Sequence, residues 1–286
     1  MPSFSEKQAT VPKVRKRSAS GSSAEGLLVP AAAPVGLFAG TSGWAYPTWK
    51  PGFYPDGLAA KKFLPFYSSQ MNSVEVNYTF RALPSSTMLS NWLASVGDGF
   101  RFSFKAPQRI THFKRLKECE ADVAQFVEVL APVREAGRLG LLLFQLPPNF
   151  KADAERLDAF LRIKALADED APPIAFEFRH ESWFGEEIYA ILRMHNAALC
   201  IAESDELATP EVHTARTHTS FRLRRAGGYS EAELKAFAQR FLALTEDQEQ
   251  PREVYVYFKH EDEPSGALNG AALLREAVAV TQGRAR

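Results

Sequence analysis

Residues 174–183 read IAFEFRHESW. Ile174, Phe176 and Phe178 alternate with Ala175, Glu177 and Arg179, so a strand here sets three large apolar side chains on one face. Its other face carries a carboxylate and a guanidinium. An apolar stretch of this kind reads as a core element, and a core element has no ordinary reason to hold two opposite charges. A strand of a (β/α)8 barrel does have one. Its outward face packs on helices, while the C-terminal end of its inward face opens into the barrel mouth, where function resides in this architecture.

Seven further segments share the pattern of short, apolar, branched or aromatic runs. They are VGLFAGTS (35–42), SVEVN (73–77), RFSFKA (101–106), LGLLLFQL (139–146), ALCIAES (198–204), SFRLRR (220–225) and VYVYFKH (254–260). Helical spacing lies between most of them. Val123, Phe126, Val127 and Leu130 share a face within Glu118–Ala136, and Leu234, Phe237, Ala238 and Phe241 do so within Ser230–Leu244. Ser230 with Glu233 reads as a capping box. Helices are also expected over Leu58–Gln70, Ser85–Val96, Ala152–Leu166, Gly185–Asn196 and Asn269–Gln282, and a loop over 204–219. The alternation predicts a TIM-barrel-like (β/α)8 fold, one α/β domain over 35–286. A doubly wound open sheet is the alternative, but no GxGxxG follows the first strand and no P-loop occurs.

Sorting each strand by the same alternation points a set of polar groups inward: Glu75 and Asn77, Ser103 and Lys105, Gln145, Glu177 and Arg179, Arg222 and Arg224, and Tyr255, Tyr257 and Lys259. Unpaired charges there would cost several kcal/mol each, so they must pair or meet water and a ligand. A structural salt-bridge layer would explain one such strand. Recurrence at the same end of six strands points to a functional mouth. The loop after the first strand, GTSGWAYPTWKPGFYP (40–55), crowds Trp44, Tyr46, Trp49, Phe53 and Tyr54 together. These rings either stack on a ligand or plug the barrel end. His112, His180 and His260 follow strand ends, where each is a candidate general base or simply a loop residue.

Bulk composition excludes several classes. With 286 residues, 45% of them hydrophobic, the chain can bury a large core. The 34 basic and 34 acidic residues balance, so no global field draws it to nucleic acid or anionic membranes. No apolar run is long enough to span a bilayer. The two cysteines, Cys119 and Cys200, form no CxxC, which fits reduced thiols and a cytoplasmic location. Neither HxH nor HExxH occurs, so no metal or other cofactor is expected. Residues 1–34 are polar, Ser-rich and basic, read as a disordered tail or an overextended start. Lys13, Arg15, Lys16 and Arg17 within them keep a nucleic-acid arm open as a reading.

Five motifs in order, GTSGW, SVEVNYTF, FSFKAP with THF, LLFQLPPNF and FEFRHESW, make the chain resemble the domain of unknown function 72 family, the YecE-like proteins. The resemblance runs from about Leu37 to the last helix. It implies a TIM-barrel-like fold and leaves the activity open. The motif positions carried over are Ser42, Trp44, Glu75, Asn77, Thr79, Lys105, His112, Gln145, Pro147, Glu177, Arg179 and Trp183. The chain departs from the family pattern late. RLRRAGGY stands where a His-Gly is usual, and YVYFKHEDEPSGALN replaces an asparagine-rich turn.

The expected function is therefore an enzyme acting on a small anionic, phosphorylated or carboxylated, sugar-like molecule. Glu75, Glu177, Lys105 and His112 would carry the acid–base or nucleophilic chemistry. Ser42, Trp44, Tyr46, Asn77, Thr79, Gln145, Arg179, Trp183, Arg222 and Tyr257 would bind the substrate, the arginines by bidentate contacts. A metal-dependent phosphodiesterase or nuclease and a non-catalytic anion-binding protein are the alternatives.

Overall fold

The computed structural model describes residues 33–203, 207–259 and 263–284. All eight expected strands form: β1 (Leu37–Thr41), β2 (Ser73–Val76), β3 (Arg101–Lys105), β4 (Leu139–Gln145), β5 (Ile174–Glu177), β6 (Ala198–Glu203), β7 (His218–Leu223) and β8 (Glu253–Phe258). Every pairing is parallel, and the order runs β1-β8-β7-β6-β5-β4-β3-β2 without a reversal. A doubly wound sheet requires a switch point where the order reverses. The chain instead forms a nearly closed barrel alternating with helices.

Most helices are shorter than the apolar spacing predicts, although the one capped by Ser230 matches its expected length and the last helix exceeds it. The stretch Glu118–Ala136 divides into α3 (Glu120–Val129) and α4 (Ala131–Glu135). Pro132 sits in the first turn of α4, where a missing N–H costs nothing but where α3 could not have continued through it. Leu58–Gln70 yields only α1 (Phe63–Ser68) after a 3-10 turn, Ser85–Val96 yields α2 (Ser86–Leu93), and Ala152–Leu166 divides into α5 (Ala154–Leu161) and α6 (Lys164–Ala167). The remaining helices are α7 (Glu186–Met194), α8 (Glu231–Thr245) and α9 (Ser265–Arg284). Ser230 and Glu233 make the expected capping box at the start of α8. None of the described residues between β6 and β7 is helical.

Two apolar layers follow from the alternation. Outside the sheet, Val74, Val76, Phe102, Phe104, Phe144, Phe176, Phe221 and Val256 pack with Phe126, Phe160, Phe241 and other helix residues. Inside it, Leu141, Leu143, Ala175, Ala198, Cys200, Tyr255 and Tyr257 fill the barrel. Tyr257 shares hydrogen bonds with Ser73 Oγ at 2.7 Å and Ser103 Oγ at 2.6 Å. Those serines lie one inward position below Glu75 and Lys105. Tyr257, expected at the ligand, is therefore part of the packed interior: only 1% of it is exposed.

The barrel closes between β1 and β2 by an unusual means. A single parallel bridge, Ser42 with Glu75, joins the two strands. Side chains supply much of the rest. Asn72 accepts from Ala39 N–H and donates to Leu37 C=O, each at 2.8 Å. Tyr67 Oη accepts from Thr41 N–H at 2.7 Å and donates to Ser73 C=O at 3.0 Å. Gly40 is required because a Cβ there would stand 1.9 Å from Ser73 O. Asn72→Ala leaves a buried donor and acceptor unpaired and should cost about 2 kcal/mol, read from the urea midpoint. Gly40→Ala should cost more, since a backbone carbonyl must move, and an unchanged midpoint for either variant would show that the seam does not close the barrel.

Candidate functional site

The mouth is organised around Arg222, which β7 delivers into the barrel with 2% exposure. Its Nη2 donates to Glu75 Oε1 at 2.7 Å, and its Nη1 bonds Glu177 Oε2. Ser42 Oγ donates to Glu75 Oε1 at 2.8 Å and lies 3.2 Å from Arg222 Nη2; Gln145 Oε1 stands 3.4 Å from Nη1. One guanidinium thus spans carboxylates of β2 and β5, and residues of β2, β4, β5 and β7, with Ser42 just past β1, meet at it. Glu177 also pairs with Arg179 Nη2 at 2.5 Å and Arg224 Nη1 at 3.7 Å.

This geometry changes the roles expected for three residues. Arg222 is not a substrate clamp, because its fork is already filled by Glu75 and Glu177. The carboxylates are not open to act as an acid and a base across a sugar ring, because both are buried and a guanidinium occupies the gap between them. Burial alone would push the Glu177 carboxyl up, but Arg222, Arg179 and Arg224 together hold it below its ordinary value. The same carboxylates keep Arg222 firmly charged despite its burial.

Beside this hub lies a pocket of about 510 Å3, lined by Lys105, Gln145, Arg179, His180 and Arg224 among others. Lys105 is pulled down to about 8, first by burial and then by Arg222, against the opposing pull of Glu75 and Glu177. Its Nζ rests 4.4 Å from the centre of the Phe80 ring. Arg179 Nε and Arg224 Nη1 are buried atoms with no hydrogen-bond partner. Four cations, Lys105, Arg179, Arg222 and Arg224, stand here against Glu75 and Glu177, with Glu181 on the pocket lining. The cleft is electropositive although the whole chain is neutral.

Other expected residues fall elsewhere. His112 rides a single π-helical turn, Arg109–Phe113, and sets its ring edge-on to Phe80 at 5.0 Å. Burial and Lys105 lower its pKa, yet Phe80 lies against both side chains and His112 does not line the pocket. Thr79 is fully buried and ties the backbone, donating to Lys105 C=O at 2.6 Å. Trp183 is fully buried outside the barrel, stacked on Phe178 at 4.5 Å and donating to Phe150 C=O at 2.7 Å. Thr79 and Trp183 therefore hold loops and cannot touch a ligand. His260 lies outside the described residues.

The aromatic loop divides. Trp49, Phe53 and Tyr54 are buried and pack on Phe63 and Tyr67 of α1 in the apolar layer outside the sheet, so they neither plug the barrel nor meet a ligand. Trp44 and Tyr46 instead line a second pocket of about 420 Å3 with Asn77, Tyr78, Met88 and Trp92. Sequence reasoning missed His180 as a pocket residue rather than a base. It also missed Trp92 and Met88 altogether: they lie on α2, which reads as an ordinary amphipathic helix. Among the described residues no group of three or more His, Cys, Asp or Glu is placed to hold a metal ion, and no helix is long and apolar enough to cross a membrane.

Comparison with known proteins agrees with this architecture. The family described as "Protein of unknown function DUF72" matches residues 38–285. The UPF0759 protein YunF of Bacillus subtilis is 25% identical over 271 residues, covering 83% of this chain and 93% of YunF. The UPF0759 protein YecE of Escherichia coli K12 is 30% identical over 191 residues, covering 64% of this chain and 63% of YecE. A crystal structure of a DUF72 family protein from Thermotoga maritima superimposes with a TM-score of 0.71 at 26% identity, covering 85% of this chain and 99% of that one.

Removing the hub arginine should unmask its structural weight. Arg222→Met leaves two buried carboxylates without their main partner and should cost about 3–5 kcal/mol at neutral pH. Adding Glu75→Gln and Glu177→Gln to it should restore part of that loss. Because the folded Glu177 carboxyl sits below 4.5, its contribution is complete above that pH and disappears as pH falls through the folded value. Acid titration of stability should therefore be shallower in Glu177→Gln than in the wild type, and equal slopes would contradict the ion-pair account.

Proposed function

This chain belongs to the DUF72 family of proteins of unknown function, and we propose that its barrel mouth is the active site of an enzyme for a small phosphorylated or carboxylated, sugar-like substrate. One observation carries the reading: Lys105, an amine lowered to about 8, faces the same pocket as Arg179 and Arg224. A lysine in an ordinary environment is almost wholly protonated at neutral pH. At a value near 8, roughly a tenth is free amine at pH 7, enough to act as a base or to attack a carbonyl.

The division of labour follows from the geometry. Arg179 and Arg224 bind the anionic end, since each has a buried N–H without a hydrogen-bond partner. Gln145 and His180 line the same pocket and suit hydroxyl groups. Glu75, Glu177 and Arg222 do not exchange protons with the substrate. They fix the cations in place, and Arg222 lowers the Lys105 amine. As a base, Lys105 takes a proton from a carbon or hydroxyl of the bound substrate. As a nucleophile, its free amine forms a C–N bond to a carbonyl carbon, and the carbonyl oxygen leaves as water with one amine proton and one proton from solvent, giving an iminium.

Functional lysines of this kind carry a stability cost, which gives a test independent of any substrate. The protonated amine is disfavoured in the folded state below about pH 8, and the penalty fades as pH rises toward the ordinary value of 10.5. Lys105→Met should therefore be at least as stable as the wild type at pH 7, with its advantage shrinking across that window. Inorganic phosphate at 100 times its dissociation constant should add about 2.7 kcal/mol to the wild type, and much less to Arg179→Ala or Arg224→Ala. Borohydride treatment with a panel of phosphorylated or carboxylated aldehydes and ketones should trap an adduct on Lys105, visible by mass spectrometry. Binding without turnover or trapping would leave a binding protein in place of an enzyme, and a flat response to every anion would overturn the reading.

A further inference from the structure

The second pocket raises its own question. It lies at the C-terminal ends of β1 and β2 and is walled by rings. Trp44 and Trp92 meet edge to face at 5.2 Å, and Tyr78, 48% exposed, and Met88 complete the wall. An open cavity with this lining leaves costly apolar surface in water. Its polar feature is a carbonyl: Asn77 Oδ1 is buried and has no hydrogen-bond partner. A buried acceptor left unpaired is unfavourable and selects for a donor. The Tyr46 hydroxyl cannot serve, because it donates to Ser42 C=O at 2.9 Å.

One chain of hydrogen bonds connects the surroundings of the two pockets. Ser42, Glu75, Arg222 and Gln145 are linked in that order across the mouth. Trp44 follows Ser42 by two residues and Asn77 follows Glu75 by two, while Gln145 lines the electropositive pocket. The Glu75 charge acts on both sides, raising Tyr46 to about 12 after burial has done most of the work, and opposing the fall of Lys105.

We infer that this apolar pocket binds a planar ring carrying an N–H or O–H donor, the ring lying against Trp44, Trp92 and Met88 and the donor reaching Asn77 Oδ1 once the amide turns toward the pocket. The ring is the non-anionic part of the same substrate whose charged end sits on Arg179 and Arg224, so this part of the inference rests on the function proposed above. The substrate class becomes a hydroxyaryl or N-heteroaryl compound with a phosphate or carboxylate at its far end. A plain alkyl phosphate would fill one pocket only.

Intrinsic fluorescence tests this directly. Of the four tryptophans, Trp44 and Trp92 line the pocket, whereas Trp49 and Trp183 are fully buried elsewhere. Phenol should change the indole emission and bind about tenfold more tightly than toluene, a margin of 1.4 kcal/mol. Asn77→Leu should erase the margin while keeping toluene binding, and Lys105→Met should leave phenol binding intact. Phenol and toluene binding alike in the wild type, or no emission change with either, would overturn the ring subsite. A series of 4-hydroxyphenylalkyl phosphates with increasing spacer length tests the shared ligand. At least one member should bind about 100-fold more tightly than inorganic phosphate, with most of the gain lost in Asn77→Leu. If phenol binds but no member of the series exceeds phosphate, the claim of one ligand spanning both pockets fails. If phosphate does not bind while phenol does, the function proposed above fails and the ring subsite stands.

Discussion

A guanidinium buried between two carboxylates is the constraint on which the mouth of this barrel depends. Arg222 is 2% exposed, and neither Glu75 nor Glu177 exceeds 1%. Taking three such charges from water is costly, and their mutual attraction offsets it only when the geometry is good. The geometry is good because four strands, with Ser42 just past β1, contribute to it. That arrangement fixes the position of every charged group around it: Arg179 and Arg224 lean on Glu177, and Lys105 sits in the field of Arg222. The ion triad therefore does two things together. It locks the upper barrel into one register, and it leaves a surplus of positive charge facing the cleft.

The same arrangement explains why a neutral chain can present an electropositive site. Surface charges are spread over helices and loops, with many in exposed pairs such as Arg162–Asp158 and Lys164–Asp168. Such pairs contribute little to stability and cancel at a distance. Inside the barrel the cations cannot be screened so well, and their field acts on what enters. Net charge, read from composition, was informative about the absence of a broad basic surface and silent about this local field.

Much of this was legible from residue order. Alternation in IAFEFR, SVEVN and SFRLRR placed Glu177, Glu75 and Arg222 inside the barrel, because a period of two follows from strand geometry whatever the partners are. What alternation cannot supply is who touches whom. Arg222 and Arg179 look alike in sequence, yet one sets both Nη groups on carboxylates and the other borders the pocket. Trp183 and Trp44 look alike as motif tryptophans, yet Trp183 packs on Phe178 and only Trp44 meets a cavity. Trp92 carried no signal, since a tryptophan on a short amphipathic helix is ordinary core material until a neighbouring loop fails to cover it. Helix ends were misjudged wherever a proline or a tight turn interrupted a good apolar period, as at Pro132.

The β1–β2 seam has a consequence for how such a sequence can drift. Along most of the barrel, backbone pairs with backbone and side chains can vary without disturbing the ladder, Ser103 Oγ accepting from Leu141 N–H between β3 and β4 being an exception. At the seam, Asn72 and Tyr67 perform the pairing themselves, and Gly40 leaves the space that lets Ser73 approach. None of the three touches the pocket, so selection on chemistry does not see them. They nonetheless form one heritable unit: a lineage that alters position 72 must find a new donor and acceptor or re-register β1, and a side chain at position 40 forecloses both routes. Residues 40, 67 and 72 should therefore co-vary or stay fixed together across descendants of this barrel, marking its ancestry even where the residues of the mouth have been exchanged.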